Sequence, residues 1–397
     1  MSRVLTAMSG GVDSAVTAAL LLEAGHTVGG ATMALHEYAP QELADARRSA
    51  ERLGIEFHIF DWQEEFFRLV QKPFMEIYQA GWTPNPCVIC NRTVKFGLFL
   101  DKALALGYEK MATGHYARVE WDAGSGRWLL RRAEDAAKDQ SYVLYSLTQA
   151  QLSRVLLPMG GMTKDAAREK AEALGLAVAH KHDSQDICFV PDGDYMRFLT
   201  EHGVRPQPGH FIGLDGRDFG PHRGQEAYTL GQRRGLDIPY GTRIYVVAKR
   251  GSDVVIGPNE ALFSRRVQVR DLNWIPFDVP PEGLRAQAKL RYTPKTAECT
   301  VHLTENGAEL CFFSPLTDAA LPENSGGLYL PGGSPELYAA QLAANAPMRR
   351  AIKNAVESGL PTVAECGGFL YLGQTLEDAN GTPHPMAGVL PGQGVKV

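Results

Sequence analysis

The sequence predicts an α/β fold: a doubly wound parallel sheet, then a small connecting domain, a partial β-barrel and a C-terminal α/β fragment. Three observations carry this reading. The apolar run Val4-Leu5-Thr6-Ala7-Met8 leads into Ser9-Gly10-Gly11-Val12-Asp13-Ser14, and helix-forming residues follow from Ala15 to Ala24. Apolar and helical stretches then alternate, as βαβ units require. From Ile256 to Phe313 the pattern turns strand-rich, and beyond it the character of the chain changes again.

The opening stretch reads as strand, glycine turn and helix. Adjacent glycines let the backbone approach a ligand closely, and N–H groups at a helix N-terminus form a cradle for phosphate. Ser9 and Ser14 add hydroxyls, and Asp13 either caps the helix or holds a metal ion. The plain alternative is a glycine turn with no ligand. The Gly-Lys-Ser/Thr ending of a Walker A loop is absent. The six residues resemble the SGGxDS pyrophosphate loop of the PP-loop ATPases, which have an adenine nucleotide alpha hydrolase-like fold and split ATP between its alpha and beta phosphates.

Thr27 to Leu35 then reads as a second strand, Gln41 to Leu53 as a helix, and Ile55 to Phe60 as a third strand. Phe66, Phe67, Val70, Phe74 and Ile77 give Gln63 to Gln79 helical spacing. Ligands of such sheets sit at the carboxyl ends of the strands. The glycine loop, Met33 and the turn Ala112-Thr113-Gly114-His115-Tyr116 are expected there together.

Thr83-Pro84-Asn85-Pro86-Cys87-Val88-Ile89-Cys90-Asn91-Arg92 reads as an exposed, extended approach to a helix over Lys95 to Leu106. A cysteine before a helix and near Arg92 has its thiolate stabilised. Cys-x-x-Cys by itself fits redox, zinc or structural roles, and no second pair completes a four-thiolate zinc site. Thr163 is the expected N-cap of a helix reaching Leu174, with Asp165 in its first turn. His182-Asp183-Ser184-Gln185-Asp186-Ile187-Cys188-Phe189 puts a further cysteine in a polar setting; alone, such a cysteine is ordinarily inert.

With 44% hydrophobic and 21% charged residues, the 397-residue chain is that of a soluble globular protein of two or three domains. No apolar run approaches the roughly twenty residues of a membrane span, and no signal peptide is visible, so cytoplasm is the expected compartment. Six cysteines at these spacings make no disulfide scaffold. The net charge is −5, yet Arg223, Arg233, Arg234, Arg243, Lys249 and Arg250 outnumber Glu226 and Asp237 within one segment. Tyr228, Tyr240 and Tyr245 are interleaved there, a combination that suits nucleic acid or, more simply, a solvated face.

Residues 1–312 resemble the tRNA-specific 2-thiouridylases of the MnmA type. The matching stretches are Ser9 to Ser14, Asn85 to Asn91, Thr113 to Tyr116, Lys138 to Gln140, Asp183 to Phe189, Gly231-Gln232-Arg233-Arg234-Gly235 and Arg291-Tyr292. The resemblance implies that ATP adenylates the C2 oxygen of the wobble uridine and that persulfide sulfur then replaces it. By position, Cys90 matches the nucleophile and Cys188 the persulfide carrier. Ala7, Met8, Ser9, Gly10, Gly11, Val12, Asp13, Ser14, Met33 and Gly114 match the ATP contacts. Asn85, Pro86 and Cys87 match the segment facing the target base; Lys138, Asp139, Gln140, Arg291 and Tyr292 match tRNA contacts. The implied cofactors are ATP and Mg2+, and the partners are tRNA and a sulfur donor, either a persulfide relay protein or a cysteine desulfurase. One thiol would hold the sulfane sulfur while the other reduces the disulfide or assists release. Some members carry Asp where this chain has Cys87, so an iron–sulfur cluster on Cys87, Cys90 and Cys188 is the alternative.

Arg266 to Val269, Ala286 to Tyr292, Glu298 to Leu303 and Glu309 to Phe313 read as strands of a barrel whose final strands are missing. Ala343 to Ser358 reads as a helix, and Pro361 to Leu372 as a strand turning into a helix at Cys366-Gly367-Gly368. This end of the chain resembles the glutaminase part of cobyrinic acid a,c-diamide synthases, with Cys366 matching the nucleophile. Such a cysteine needs a histidine base, and His384, in a proline-rich turn, is a poor candidate. The expected domains are 1–195 for ATP and catalysis, 196–255 contacting tRNA, 256–312 as the partial barrel and 313–397 as the glutaminase-like fragment. Two incomplete domains at one junction suggest a truncated or chimeric gene rather than a deliberate fusion. The rival functions are a glutamine-dependent amidotransferase that adenylates an acid, and an inactive tRNA-binding remnant.

Overall fold

The first strand, β1 (Arg3–Ala7), is buried from Val4 onward, as a strand covered on both faces must be. It continues through the glycine loop into α1 (Val12–Glu23), and β2 (Thr27–Ala34), α2 (Pro40–Leu53) and β3 (Glu56–Asp61) follow. The computed structural model describes residues 1–397 except 37–39, 182–186, 291–295, 323–324, 326, 331–333 and 396–397, and describes no side chain at Pro40 or Tyr329. The described residues form two compact units, Met1–Phe263 with Ile275–Asp278, and Ser264–Trp274 with Val279–Val397.

In the first unit, α3 (Gln63–Phe66), a π-helical turn Phe67–Gln71 and α4 (Lys72–Gln79) run on as one helical stretch. Phe66, Val70 and Phe74 are fully buried, whereas Phe67 is 42% exposed and stands outside the apolar stripe. A second helical stretch joins α5 (Pro86–Cys90), a π-helix Asn91–Leu98 and α6 (Phe99–Ala105). It starts nine residues before the expected helix. The reason is local: Asn85 Oδ1 accepts the Val88 N–H at 3.3 Å and Pro86 fills the first turn, so the segment starts a helix instead of remaining extended.

After β4 (Lys110–Ala112) come the hairpin β5 (Ala117–Asp122) and β6 (Arg127–Arg132), α7 (Gln149–Leu152) and β7 (Val155–Leu156). The main sheet has the order β3-β2-β1-β4-β7, parallel throughout. Its order reverses between β1 and β4, where ligands of such sheets bind. Helix α8 (Lys164–Ala173) is capped as expected, Thr163 Oγ1 accepting the Ala166 N–H at 3.2 Å. Beyond α9 (Tyr195–Glu201), a second sheet has the order β10 (Tyr245–Arg250), β11 (Asp253–Gly257), β8 (Gly209–Gly213), β9 (Asp218–His222).

The second unit holds an antiparallel sheet of β12 (Arg266–Val269), β13 (Leu284–Ala288), β14 (Ala297–Thr304) and β15 (Gly307–Cys311), in the order β12-β15-β14-β13. β13 ends before the expected Tyr292, which lies outside the described residues. β16 (Leu328–Leu330) pairs in parallel with β17 (Thr362–Ala364). Between them lie α10 (Ala339–Ala344) and α11 (Ala346–Glu357), split by Asn345, whose Oδ1 accepts the Met348 N–H and caps α11. α12 (Gly367–Leu372) follows β17.

Candidate nucleotide and thiol site

The glycine loop is shaped by two close approaches. Gly10 has φ +71°, and a Cβ there would lie 2.3 Å from the Glu42 carbonyl oxygen of α2. Gly114 packs so tightly on the first turn of α1 that a Cβ would lie 2.9 Å from the Asp13 carbonyl carbon. Ser14 Oγ donates to Gly11 O at 3.1 Å and accepts the Ser9 N–H at 3.2 Å, tying the two ends of the loop. Met8 spends its N–H on Ala31 O within the sheet. Ala7, Met8, Val12 and Met33 are buried side chains that shape the floor.

Asp13 does not cap α1, whose N-cap is Gly11 with no side-chain bond. Its carboxylate is drawn sideways: Lys164 Nζ donates to Oδ1 at 2.8 Å and Oδ2 at 2.9 Å, and the Tyr116 hydroxyl donates to Oδ1 at 2.9 Å. Lys181 Nζ donates to Gly10 O and to Asp45 Oδ2, both at 3.0 Å. Burial alone would raise the Asp45 pKa, but hydrogen bonds from Lys181, Gln41 and Arg48 outweigh it and hold the carboxyl below its ordinary value. None of Lys164, Lys181, Asp45 or Tyr116 was singled out from the sequence for this contact.

The thiols lie in the same unit. Cys87 is exposed in the first turn of α5, and Cys90 is buried. The expectation that a helix N-terminus and Arg92 stabilise a cysteine thiolate in this segment is not met at Cys90. The helix starts at Pro86, Cys90 is at its fifth residue, and burial pushes the thiol pKa up; the opposing charge is that of Lys95. Lys95 lies in the π-helix that begins directly after Cys90. Phe189 seats the neighbouring Cys188, its ring packing 5.2 Å from Phe74 and 5.1 Å from Phe198. Cys188 is exposed by area yet crowded by protein; burial, then the nearby Cys90, pushes its thiol up to about 12. Asp183 to Asp186 of the same stretch lie outside the described residues. His115 is held neutral by burial, with Nδ1 2.7 Å from Thr113 Oγ1.

Among the described residues no group of three or more His, Cys, Asp or Glu is arranged to hold a metal ion. Cys87, Cys90 and Cys188 are not gathered into such a group here, and the Asp13 carboxylate accepts hydrogen bonds from Lys164 and Tyr116.

Of the expected RNA contacts, Asp139 accepts the Ala133 N–H and Gln140 Oε1 accepts the Tyr116 N–H, so both serve the chain's own main chain. Arg291 and Tyr292 lie outside the described residues. In the basic segment Arg223, Arg233, Arg234, Arg243 and Arg250 are exposed, but Tyr228 is core, packed edge-on to Phe211. Strands β8–β11 wrap around that tyrosine, which removes it from any RNA-facing surface.

In the second unit Cys366 is exposed, with φ +46°, a left-handed dihedral that is strained for any residue but glycine. The strand-to-helix elbow is thus real. His384 Nε2 is 3.1 Å from Asp378 Oδ2 in the following hairpin.

A reversal point beside a serine–glycine loop defines an α/β nucleotide-binding enzyme of the PP-loop type. Residues 2–192 match the family model described as the tRNA methyl transferase HUP domain and 196–257 its PRC-barrel domain; 300–395 match a CobB/CobQ-like glutamine amidotransferase domain. The tRNA-specific 2-thiouridylase MnmA of Heliobacterium modesticaldum is 47% identical over 320 residues, 77% of this chain and 83% of that one. That of Carboxydothermus hydrogenoformans is 47% identical over 315 residues, 75% and 86% of the two chains. The chain belongs to the tRNA-specific 2-thiouridylase family. A solved 4-thiouridine synthetase–RNA complex with bound ATP covers 50% of each chain at 17% identity, with a TM-score of 0.34, too loose a match to carry an argument. No helix among the described residues is long and apolar enough to cross a membrane.

Proposed function

We propose that the chain transfers sulfur to C2 of the wobble uridine of tRNA at the expense of ATP. The observation that carries this reading is that one compact unit holds both the phosphate cradle and two thiols, Cys90 and Cys188, close enough to influence each other's ionisation. The C2 oxygen attacks the alpha phosphate and pyrophosphate leaves. The terminal sulfur of a Cys188 persulfide then attacks C2. The Cys90 thiolate attacks the inner sulfur of that persulfide, so the terminal sulfur stays on the base, and AMP departs with the oxygen. The resulting Cys90–Cys188 disulfide is reopened by a thiol reductant. Burial of Cys90 favours its protonated form.

In this scheme Ser9 to Ser14 and Gly114 hold ATP, Asn85 to Cys87 face the target base, and Lys138, Arg291 and Tyr292 meet tRNA. A persulfide relay protein or a cysteine desulfurase supplies the sulfur. Mg2+ would come with the nucleotide, since Asp13 is engaged elsewhere. The four segments 1–195, 196–255, 256–312 and 313–397 are taken as the functional modules. The strained Cys366 favours one second reading, a glutaminase feeding ammonia to an adenylated acid, whose signature is glutamine-dependent ATP hydrolysis.

The test is a thiol series. Cys90→Ser and Cys188→Ser should each eliminate thiolation, Cys87→Ser should retain part of it, and Cys366→Ser should leave it unchanged. A dead Cys87→Ser variant with stoichiometric iron in anaerobic wild-type protein would replace the relay by a cluster.

A further inference from the structure

The aspartate of the loop motif invites assignment as a metal ligand, and the geometry points elsewhere. We propose that Asp13 is a positioning residue for the ammonium of Lys164, and that this ammonium, not a carboxylate-bound metal ion, is the fixed cation that the protein offers to the phosphates of ATP. The inference rests on the ATP reading above and deepens it.

Among the described residues, three hydrogen bonds arrive at the two oxygens of Asp13, two from Lys164 and one from Tyr116. A carboxylate has about four lone-pair sites, and the ammonium donates to both oxygens. A hard cation placed there would have to displace a positive charge already 2.8 Å away. The Lys164 side chain is only 8% exposed and Tyr116 2%, so neither donor can swing out to water without unpacking. Lys164 is the first residue of α8, which packs on α1, and Thr163 caps that helix end. Its backbone is thereby fixed relative to the loop. Gly114 and Tyr116 close the arrangement from the turn between β4 and β5, since the glycine backs onto Asp13 and the tyrosine bonds it. The result is a lysine whose Nζ is held beside the phosphate cradle by the motif's own carboxylate. An ammonium is the donor that phosphate oxygens take from such loops, as a point charge needing no metal ligand set.

The test is calorimetric titration of ATP into the full-length protein at a series of free Mg2+ concentrations, for the wild type, Asp13→Asn, Lys164→Met, Lys164→Arg and the Asp13→Asn/Lys164→Met pair. Cooperative melting and tRNA affinity report on folding. Lys164→Met should weaken ATP binding tenfold or more, Lys164→Arg should recover part of the loss, and the double variant should be no weaker than Lys164→Met alone. Asp13→Asn should weaken ATP binding while leaving the Mg2+ concentration for half-maximal binding within twofold of wild type. A tenfold rise in that concentration for Asp13→Asn, or unchanged ATP affinity in Lys164→Met, overturns the proposal. If Lys164→Met does not melt cooperatively, the Mg2+ dependence of the near-isosteric Asp13→Asn decides alone. A folded wild type that binds no ATP at any Mg2+ concentration would instead overturn the nucleotide reading itself.

Discussion

Gly10→Ala measures how far the cradle depends on its backbone. The residue has φ +71°, and a left-handed dihedral costs a non-glycine residue about 1–2 kcal/mol. The added methyl would also meet the Glu42 carbonyl at 2.3 Å, a contact that must be relieved by moving α2 or the loop. Overpacking of this kind costs about 1–3 kcal/mol, for a total of roughly 2–5 kcal/mol. Gly54→Ala is the internal control, because Gly54 has φ +68° and nothing within 4 Å of its virtual Cβ. The difference between the two variants in urea unfolding isolates the close approach. If the loop yields rather than α2, the close-approach part, about 1–3 kcal/mol, appears as lost ATP affinity, about fivefold to a hundredfold at 1.4 kcal/mol per decade. Equal destabilisation in the two variants, with ATP affinity at the wild-type level in Gly10→Ala, would refute the reasoning.

Further expectations concern the thiols, the RNA and the Asn85 cap. Because the Cys90 and Cys188 pKa values are raised, their alkylation by iodoacetamide, followed by peptide mass spectrometry, should accelerate about tenfold per pH unit from pH 7 through 9. A plateau by pH 7 would contradict the burial argument. The same shifts set a stability trend: the folded pKa lies above the unfolded one, so the contribution is intact below about pH 9 and lost as pH rises toward 12. Affinity for tRNA should fall steeply with salt, and Arg233→Gln with Arg234→Gln should flatten the log–log slope by roughly 1.5–2. Asn85→Ala should cost about 1 kcal/mol in urea unfolding, by loss of the cap on α5.

The sequence made the first unit readable where local chemistry decides structure. An apolar strand, paired glycines and a helix-forming run specify β1, the loop and α1, and Thr163 announces α8 by its side chain alone. The start at Pro86 is ambiguous in the sequence because two prolines among turn formers suggest an extended chain, although Pro in a first turn behind an Asn cap equally begins a helix. The helix start at Pro86 puts Cys90 at a buried fifth position, where burial raises its pKa. Lys164 and Lys181 left no trace in the pattern, since they meet Asp13 and Gly10 across 151 and 171 residues. Long-range contacts of that kind have no periodicity to read. Tyr228 looked like a surface aromatic because its neighbours are basic; only the pairing of β8 to β11 reveals it as core. Cys366 was legible as an elbow from two following glycines, and its strained dihedral adds what composition lacks.

The central claim is that one unit adenylates a tRNA base and thiolates it. The most direct measurement incubates the purified chain with ATP, a persulfide donor and unmodified tRNA, followed by nucleoside analysis by mass spectrometry. A 2-thiouridine nucleoside that requires ATP and disappears with Cys90→Ser or Cys188→Ser is the predicted result. Unmodified tRNA together with glutamine-dependent ATP hydrolysis would contradict the account.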